Sequence, residues 1–181
     1  MPAAAESTWI DAEIVQARRA EGGEPLRRPH VVVLQERGGT RLLPIYTGAA
    51  EAIALACNLE AVEMPRPMTY QLAANLLSAA KSRVNEVRIA CLAESTFYAV
   101  ISVGAPGGGA EVDARPSDAL NLALVSGAPI RIDAGLLDDP DASRHTAWEQ
   151  YPTGSTQLVA EVRDRQADLL KLLAQESHDY G

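Results

Sequence analysis

The spacing of apolar residues in the first third of the chain predicts three strands and then a helix. Apolar and polar residues alternate over residues 9–19, which is the period of a strand with one buried face. The apolar run at 30–34 and the segment 41–46 are separated by a glycine pair, so they predict a hairpin. The period changes at Gly48, and residues 49–59 are mostly good helix formers.

The middle of the chain predicts a second helix and then a run of strands. Leu72, Leu76 and Ala80 recur at helical spacing after a loop that contains Pro65 and Pro67. The predicted strands cover residues 83–92, 96–103, a segment that ends near residue 113, and, after a third helix, 130–132.

The third helix has the clearest boundary signals in the sequence. Pro116 suits the first helical position, and Gly127 and Pro129 follow the last turn. Its body is almost wholly apolar, so we expect it to be buried. The glycine triplet at 107–109 lacks the Lys and Ser/Thr of a phosphate loop and predicts a turn.

Helices are segregated from runs of strands, which indicates an α+β fold with helices packed against a mixed or antiparallel sheet. We expect one domain over residues 1–140, a polar linker at 141–154 and an amphipathic helix at 155–177. The apolar stripe of that helix consists of Leu158, Val162, Leu169 and Leu173. Packing on its own domain is favoured over a partner-binding or coiled-coil role.

Charge limits the range of functions. The 181-residue chain has a net charge of −8 and a pI of about 4.9, so it lacks the basic footprint of tight nonspecific DNA binding. The acid is concentrated in residues 131–181, which carry ten acidic and five basic residues. A transient, metal-assisted encounter with nucleic acid remains compatible with the milder charge of the first 130 residues.

The location predicted from the sequence is the cytoplasm, with no membrane partner. The first residues show no signal-peptide pattern, and no window approaches an apolar membrane span. Cys57 and Cys91 lie in apolar stretches without metal-ligand spacing. We therefore expect both to be small buried residues in a reducing compartment.

Three short motifs carry a family resemblance. LPIYTG at 43–48 is followed by EA at 51–52, PRPMT lies at 65–69, and DARPSDA lies at 113–119. In this order and spacing they resemble the bifunctional nuclease domain family over roughly residues 7–140. The resemblance implies an α+β domain, usually a homodimer, with a groove as active site and activity on RNA and DNA.

One departure from the family pattern bears on activity. Where the family commonly has His and Asp after the threonine, this chain has Tyr70 and Gln71. Histidine and aspartate are natural candidates for a general base and a metal ligand, whereas tyrosine and glutamine serve both roles poorly near neutral pH. If the family's chemistry depends on that pair, activity here is impaired.

Phosphodiester hydrolysis needs an activated water and groups that stabilise developing negative charge, which carboxylates on Mg²⁺ or Mn²⁺ and arginines can supply. The candidate catalytic residues are Glu51, Asp113, Asp118, Arg115 and Arg66, with Glu63 as a weaker one. Glu51, Asp113 and Asp118 are the candidate ligands of a divalent metal. This hypothesis predicts that the three carboxylates converge at roughly 4–6 Å from one another.

Each candidate also has a purely structural interpretation. Glu51 and Asp118 could only stabilise helix N-termini, where an anion is favourable. Asp113 and Arg115 could form a local ion pair at a strand-to-helix corner. For Arg66 the alternative is bracing its loop, and for Glu63 it is a solvated surface position.

Three functions therefore remain open at the level of sequence. The first is a metal-dependent nuclease, or a degenerate one, that acts on RNA or DNA as a transient substrate. The second is a non-catalytic, homo-oligomeric module that binds a ligand or partner in the same groove. The third is a structural homo-oligomer whose terminal helix buries a dimer seam.

Overall fold

A computed structural model describes residues 8–19, 30–143, 159, 160 and 164. The strands are β1 Trp9–Arg19, β2 His30–Glu36, β3 Leu42–Thr47, β4 Arg83–Ala93, β5 Thr96–Gly104, β6 Ala110–Ala114 and β7 Ile130–Asp133. The helices are α1 Ala49–Leu59, α2 Thr69–Ala79, α3 Pro116–Ser126, α4 Ala134–Asp138 and α5 Pro140–Ser143. The predicted α+β class is confirmed.

The strands form one mixed sheet in the order β3-β2-β1-β7-β4-β5-β6. Neighbouring strands are antiparallel except β4 and β7, which run parallel with Val87 opposite Ile130 and Ile89 opposite Ile132. Strand β7 comes last in the chain yet lies at the centre of the sheet. Helix α3 therefore carries the chain from the edge strand β6 back to the middle, across one face.

Helices α1 and α3 cover that face and bury a single core with the strands. Its largest fully buried apolar side chains include Leu34, Leu43, Leu55, Ile89, Leu120 and Ile132. As expected, α3 is the most deeply buried helix: seven of its eleven residues are buried. This packing fixes the positions of the N-termini of α1 and α3, where two of the sequence motifs lie.

Helix α2 lies at the margin of the core and has no buried residue. Ala73 and Leu77 pack against the core, whereas Leu72 and Leu76 are 53% and 62% exposed. The apolar stripe predicted from the helical spacing thus faces outward. We call Leu72 and Leu76 the α2 stripe.

Two short helices that were not predicted follow β7, and the second of them, α5, overlaps the start of the expected polar linker. The Asp133 side chain accepts a hydrogen bond from the Gly135 N–H at 2.9 Å, and Asp139 Oδ1 accepts one from Asp141 N–H at 2.7 Å. Such local side-chain caps stabilise single helical turns that lack an apolar pattern. Residues 144–154 of the expected linker lie outside the described residues.

The predicted terminal helix also lies mostly outside the described residues. The chain is helical at residues 159, 160 and 164, and Val159 is 3% exposed and belongs to the core cluster. Val159 lies beside the predicted apolar stripe and not in it, so the packing of the amphipathic helix stays a prediction.

The prediction for the two cysteines is half right. Cys57 is 3% exposed in α1, but Cys91 is exposed. The pairing of β4 with β5 shifts between Ile89 and Cys91, and Cys91 lies opposite the exposed Tyr98. This irregularity moves Cys91 off the core face, because a one-residue slip reverses the side-chain direction.

Within the described residues, no helix has the length and apolar character needed to cross a membrane.

Candidate functional site

The first part of the site is the junction of β3 and α1. Gly48 is the N-cap of α1 and has no side chain to cap the helix, and Glu51 occupies the third helical position. A Cβ at position 48 would collide with the Glu51 carboxylate, so glycine leaves room for this side chain to fold back over the helix start. The negative carboxylate is stabilised there by the helix dipole.

The second part is the junction of β6 and α3. Arg115 is the N-cap residue, Pro116 is the first helical residue, and Asp118 lies one turn into the helix. The Arg115 side chain turns back to donate from Nε to Asp118 Oδ2 at 2.6 Å and from Nη2 to Asp118 Oδ1 at 3.0 Å. Its Nη2 also donates to Glu51 Oε1 at 2.9 Å.

Arg115 therefore joins the starts of α1 and α3, yet it is 67% exposed. Its Nη1 makes no hydrogen bond or ion pair within the described part of the chain. Glu51 is 18% exposed, and its Oε2 has no hydrogen-bond donor among the described residues. Two carboxylates thus orient a guanidinium whose free edge faces solvent.

Tyr70, one of the residues that departs from the family pattern, completes this cluster. Its hydroxyl donates to Asp118 Oδ1 at 2.7 Å. Burial, reinforced by that hydrogen bond, raises the pKa of Tyr70 well above its ordinary value, so it remains a protonated donor. Burial also pushes the pKa of Asp118 upward, but the hydrogen bonds from Arg115 and Tyr70 outweigh it and lower the pKa. Asp118 is therefore a carboxylate at neutral pH.

Gln71 belongs to a second polar chain below the cluster. Its Nε2 donates to Asn58 Oδ1 at 2.8 Å, and Asn58 Nδ2 lies 3.5 Å from Asn121 Oδ1. Asn121 is fully buried and donates to the backbone carbonyls of Glu51 at 3.1 Å and Ser117 at 3.0 Å. This amide chain links α2, α1 and α3 directly behind the carboxylates.

A cleft of about 480 Å³ opens beside Arg115. It is lined by Ile45, Tyr46, Thr47, Gly48, Ser95, Thr96, Phe97, Arg115, Pro116 and Ser117. Strands β3 and β5 are not neighbours in the sheet order, yet residues at one end of each strand line this cleft. The lining combines one cation, several hydroxyls and two aromatic rings, and the buried Thr47 Oγ1 has no partner in the described structure.

Asp113 does not belong to this site. It lies opposite Val100 on the sheet face away from the helices, because its neighbours Val112 and Ala114 pair with the core residues Ile101 and Ala99. The predicted convergence of Asp113 with Glu51 and Asp118 is therefore wrong. The two-residue period of the strand, which a motif does not reveal, turns its side chain to the other face.

The other two sequence candidates also lie outside the cluster. Arg66 and Glu63 are exposed in the loop before α2, and neither forms a hydrogen bond or an ion pair with the described residues. The suggested ion pair of Asp113 with Arg115 is not formed either, since Arg115 pairs with Glu51 and Asp118. Three of the predicted residues, Glu51, Arg115 and Asp118, do come together.

The donor set is a poor fit for a divalent metal. Mg²⁺ requires oxygen ligands in near-octahedral geometry. Here both Asp118 oxygens already accept hydrogen bonds, and one Glu51 oxygen accepts from the same guanidinium. The described residues contain no group of three or more acidic, histidine or cysteine side chains placed to hold a metal ion. The metal stays a prediction, and no step is derived through it.

Several residues of the site were missed at the level of sequence. Asn58, Asn121, Thr47 and the Ser95–Thr96 turn were not singled out. Asn121 carried a usable signal, because a lone amide within an apolar, buried helix needs hydrogen-bond partners. The Ser95–Thr96 turn carried no such signal in the sequence, because only folding brings it to the cleft.

The comparisons with known proteins agree with this arrangement of motifs. Residues 32–144, more than half of the chain, match the family model described as the bifunctional nuclease domain. The chain belongs to the bifunctional nuclease domain family. An uncharacterised protein of Mycobacterium tuberculosis is 40% identical over 132 residues, which cover 68% of this chain and 78% of that protein. The resemblance inferred from the three motifs is thus confirmed.

Plant proteins of the family are more distant. Bifunctional nuclease 1 of Oryza sativa subsp. indica is 30% identical over 108 residues, which cover 58% of this chain and 33% of the rice protein. Bifunctional nuclease 2 of Arabidopsis thaliana is 28% identical over 117 residues, which cover 62% of this chain and 36% of that protein. The nuclease names thus belong to proteins of which this chain matches about a third.

Proposed function

We propose that this protein is a nuclease that hydrolyses phosphodiester bonds of RNA or DNA in the cleft beside Arg115. The observation that carries the proposal is the position of this guanidinium, oriented by two carboxylates and still two-thirds exposed at the mouth of the cleft. A rigid cation with a free edge is suited to bind a phosphate and to stabilise the charge that develops on it.

In this proposal Glu51 is the proton acceptor. Its Oε2 has no donor in the described structure, whereas both oxygens of Asp118 are engaged. Glu51 accepts a proton from the attacking water as the water oxygen bonds to phosphorus, and the leaving oxygen takes a proton from solvent. Asp118 and Tyr70 hold Arg115 in place.

The test is cleavage of single-stranded RNA and DNA by the purified protein, with Mg²⁺, with Mn²⁺ and with a chelator. Asp118→Ala is compared with Asp113→Ala, a matched carboxylate on the other sheet face. We expect the first variant to lose at least about tenfold in rate, because Arg115 loses its anchor, and the second to match the wild type. Equal rates for both variants would contradict the site. Cleavage that occurs only with added metal would contradict the role of Glu51 as the proton acceptor and would assign activation of the water to the metal ion.

A non-catalytic binding module is the second candidate, and the Tyr70–Asp118 hydrogen bond favours it. Tyr70 remains protonated and Asp118 is saturated, so neither provides the general base that a histidine could supply. No cleavage above a mock preparation, together with oligonucleotide binding that Arg115→Ala weakens, would support this candidate over the nuclease.

We also propose that the protein is a cytoplasmic homodimer that pairs through the α2 stripe. Leu72 and Leu76 are exposed one turn apart on a helix without buried residues, and adjacent exposed apolar side chains of this kind are candidates for an interface. Light scattering should show a dimer for the wild type and a monomer for the Leu72→Gln/Leu76→Gln variant. A dimer that survives this change but is lost on deleting residues 155–181 would place the seam at the terminal segment instead.

A further inference from the structure

A second cleft lies at the other end of the β4–β5 hairpin. It has a volume of about 310 Å³ and is lined by Lys81, Arg83, Asn85, Gly104, Ala105, Pro106, Gly108 and Gly109. The Arg115 cleft lies at the turn of the same hairpin, next to Ser95 and Thr96. Strand β4 has 11 residues, so about 33 Å of strand separates the two ends. The two clefts are therefore distinct sites.

The charge of this second cleft is opposite to that of the chain. Its lining contains two cations and no carboxylate, in a protein with a net charge of −8. Neither Lys81 nor Arg83 forms an ion pair with any of the described residues, whereas Arg88 and Arg115 are each paired with two carboxylates. Two neighbouring, uncompensated cations favour an anion between them.

The guanidinium of Arg83 is oriented for such a ligand. Its Nε donates to Asn85 Oδ1 at 3.2 Å, and its two terminal nitrogens have no partner in the described structure. Asn85 is the extra residue of a bulge in β4, because Val84 pairs with Val103 and Glu86 with Ser102. Bulges often redirect side chains next to functional sites.

Glycines keep the rest of the cleft open. A Cβ at Gly104 would come within 2.8 Å of Asn85 Oδ1, so a larger residue there would displace the amide that orients Arg83. Gly108 has a φ of +127°, and a Cβ at this position would meet nothing within 4 Å. The β5–β6 loop, which lacks the sequence of a phosphate loop, lines the same cleft as the two cations and contributes no side chain at its glycines.

The backbone conformation at Lys81 determines how the site can be tested. Lys81 follows the C-cap of α2 with a φ of 55°, a left-handed position where glycine is the usual and least strained residue. A lysine at this position carries a conformational cost without any ion pair among the described residues to offset it. Ala61 has the same conformation after the C-cap of α1, so this backbone is a common feature of helix ends, and the two unpaired cations are what favour a ligand.

We propose that Lys81 and Arg83 form a binding site for a phosphate group. A terminal phosphate carries about −1.5 to −2 charges at neutral pH and has three acceptor oxygens, which matches two cations and a guanidinium fork. The phosphate is either the terminal group of a nucleotide or nucleic acid, or an internal phosphodiester of a bound strand. The site does not depend on cleavage at Arg115.

Amide chemical shifts, measured during titration with inorganic phosphate at constant ionic strength, test the proposal. We expect shifts at residues 81–85 and 104–109, and at least about tenfold weaker binding for Arg83→Gln, since a hydrogen bond to a charged group is lost. Arg37→Gln is the matched control, because Arg37 is exposed in the distant β2–β3 turn. No shifts, or an equal loss in both variants, would overturn the proposal.

Lys81→Gly separates binding from folding. Glycine relieves the left-handed backbone while it removes the cation, so we expect a melting temperature at or above that of the wild type and phosphate binding weakened about tenfold. Unchanged binding would contradict the site. Short oligonucleotides with and without a 5′-phosphate then distinguish the source: preference for the phosphorylated one indicates a terminal phosphate, and equal binding indicates the backbone.

Discussion

Arg115 and Arg88 are each paired with two carboxylates, but they lie in different surroundings. Arg115 binds Glu51 and Asp118 beside the cleft and is 67% exposed. Arg88 pairs with Glu86 and Glu111 on the outer face of the sheet, where its side chain is only 18% exposed. The ring of Trp9 lies over it, with the centroid 5.2 Å from the guanidinium carbon.

The difference shows why ion pairs alone do not identify a functional site. Trp9 and the neighbouring charges cover Arg88, so its guanidinium stabilises the sheet face and has no room for a ligand. Arg115 has the same number of carboxylate partners and keeps a free edge at a cleft lined by hydroxyls. Exposure next to a concave surface, rather than charge pairing, separates the two.

The largest expected difference between the two arginines is in catalysis. Arg115→Ala should lower the rate of nucleic-acid cleavage by about 100-fold, which is the usual effect of removing one charge-stabilising group. Arg88→Ala should leave the rate within about threefold, since the outer sheet face does not reach the cleft. Single-turnover cleavage of one oligonucleotide by folded variants checks this prediction, and similar losses in both would contradict the comparison.

For the stability of the fold, we expect Arg88→Ala to have the larger effect and Arg115→Ala the smaller. Arg88→Ala removes the guanidinium that packs under Trp9 and pairs with Glu86 and Glu111, although Glu86 keeps its ion pair with Arg131. We therefore expect a loss of about 0.5–2 kcal/mol in the free energy of unfolding, mainly from the lost contact with the ring. Arg115→Ala should hardly change the melting temperature, because exposed ion pairs contribute little. Urea denaturation of the two variants measures both effects. A larger loss for Arg115→Ala would assign it a structural role.

A smaller effect is expected at Tyr70. Tyr70→Phe removes the hydroxyl that donates to Asp118 and should lower activity about fivefold to tenfold, in keeping with one lost hydrogen bond to a charged group. Tyr70→His restores a donor and the residue that the family commonly has there, so it should equal or exceed the wild type. Michaelis–Menten kinetics over pH 5–9 distinguish the two, and a Tyr70→His variant as weak as Tyr70→Phe would argue against the positioning role.

The smallest expected effect concerns pH. The pKa of Asp118 is held below its ordinary value of 3.8, so its contribution to stability is present above that pH and is lost as the pH falls through the lower, folded value. The stability difference between wild type and Asp118→Asn should therefore be constant from pH 7 to about 5 and shrink below about 4. Urea denaturation of the two proteins at each pH measures this difference, and a difference that stays constant below about pH 4 would contradict the pairing of Asp118 with Arg115.

Local patterns predicted most elements but not their assembly. The alternation from Trp9 to Arg19 and the composition of residues 49–59 gave both elements with the bounds that are observed. The central place of β7 depends on pairing with β1 and β4, which four residues of sequence do not encode. Likewise, the outward turn of Cys91 follows from a register shift that no local pattern reveals.

The site was predictable only in part, for the same reason. Motif positions singled out Glu51, Arg115 and Asp118, because helix starts stabilise acidic side chains and their free N–H groups attract anions. The contact between Arg115 and Glu51 spans 64 positions of sequence and arises from the packing of α1 on α3. Asp113, only two residues before Arg115, was misassigned because strand geometry directs its side chain to the opposite face.

The most direct test of the account is the salt dependence of single-stranded RNA binding for wild type, Arg115→Ala and Arg88→Ala. A side chain that contacts a phosphate contributes about 0.7 to the slope of log affinity against log salt concentration for a single strand. We predict that Arg115→Ala lowers the slope by about 0.7 and that Arg88→Ala leaves it unchanged. An unchanged slope for Arg115→Ala would contradict the claim that this exposed guanidinium binds the phosphate.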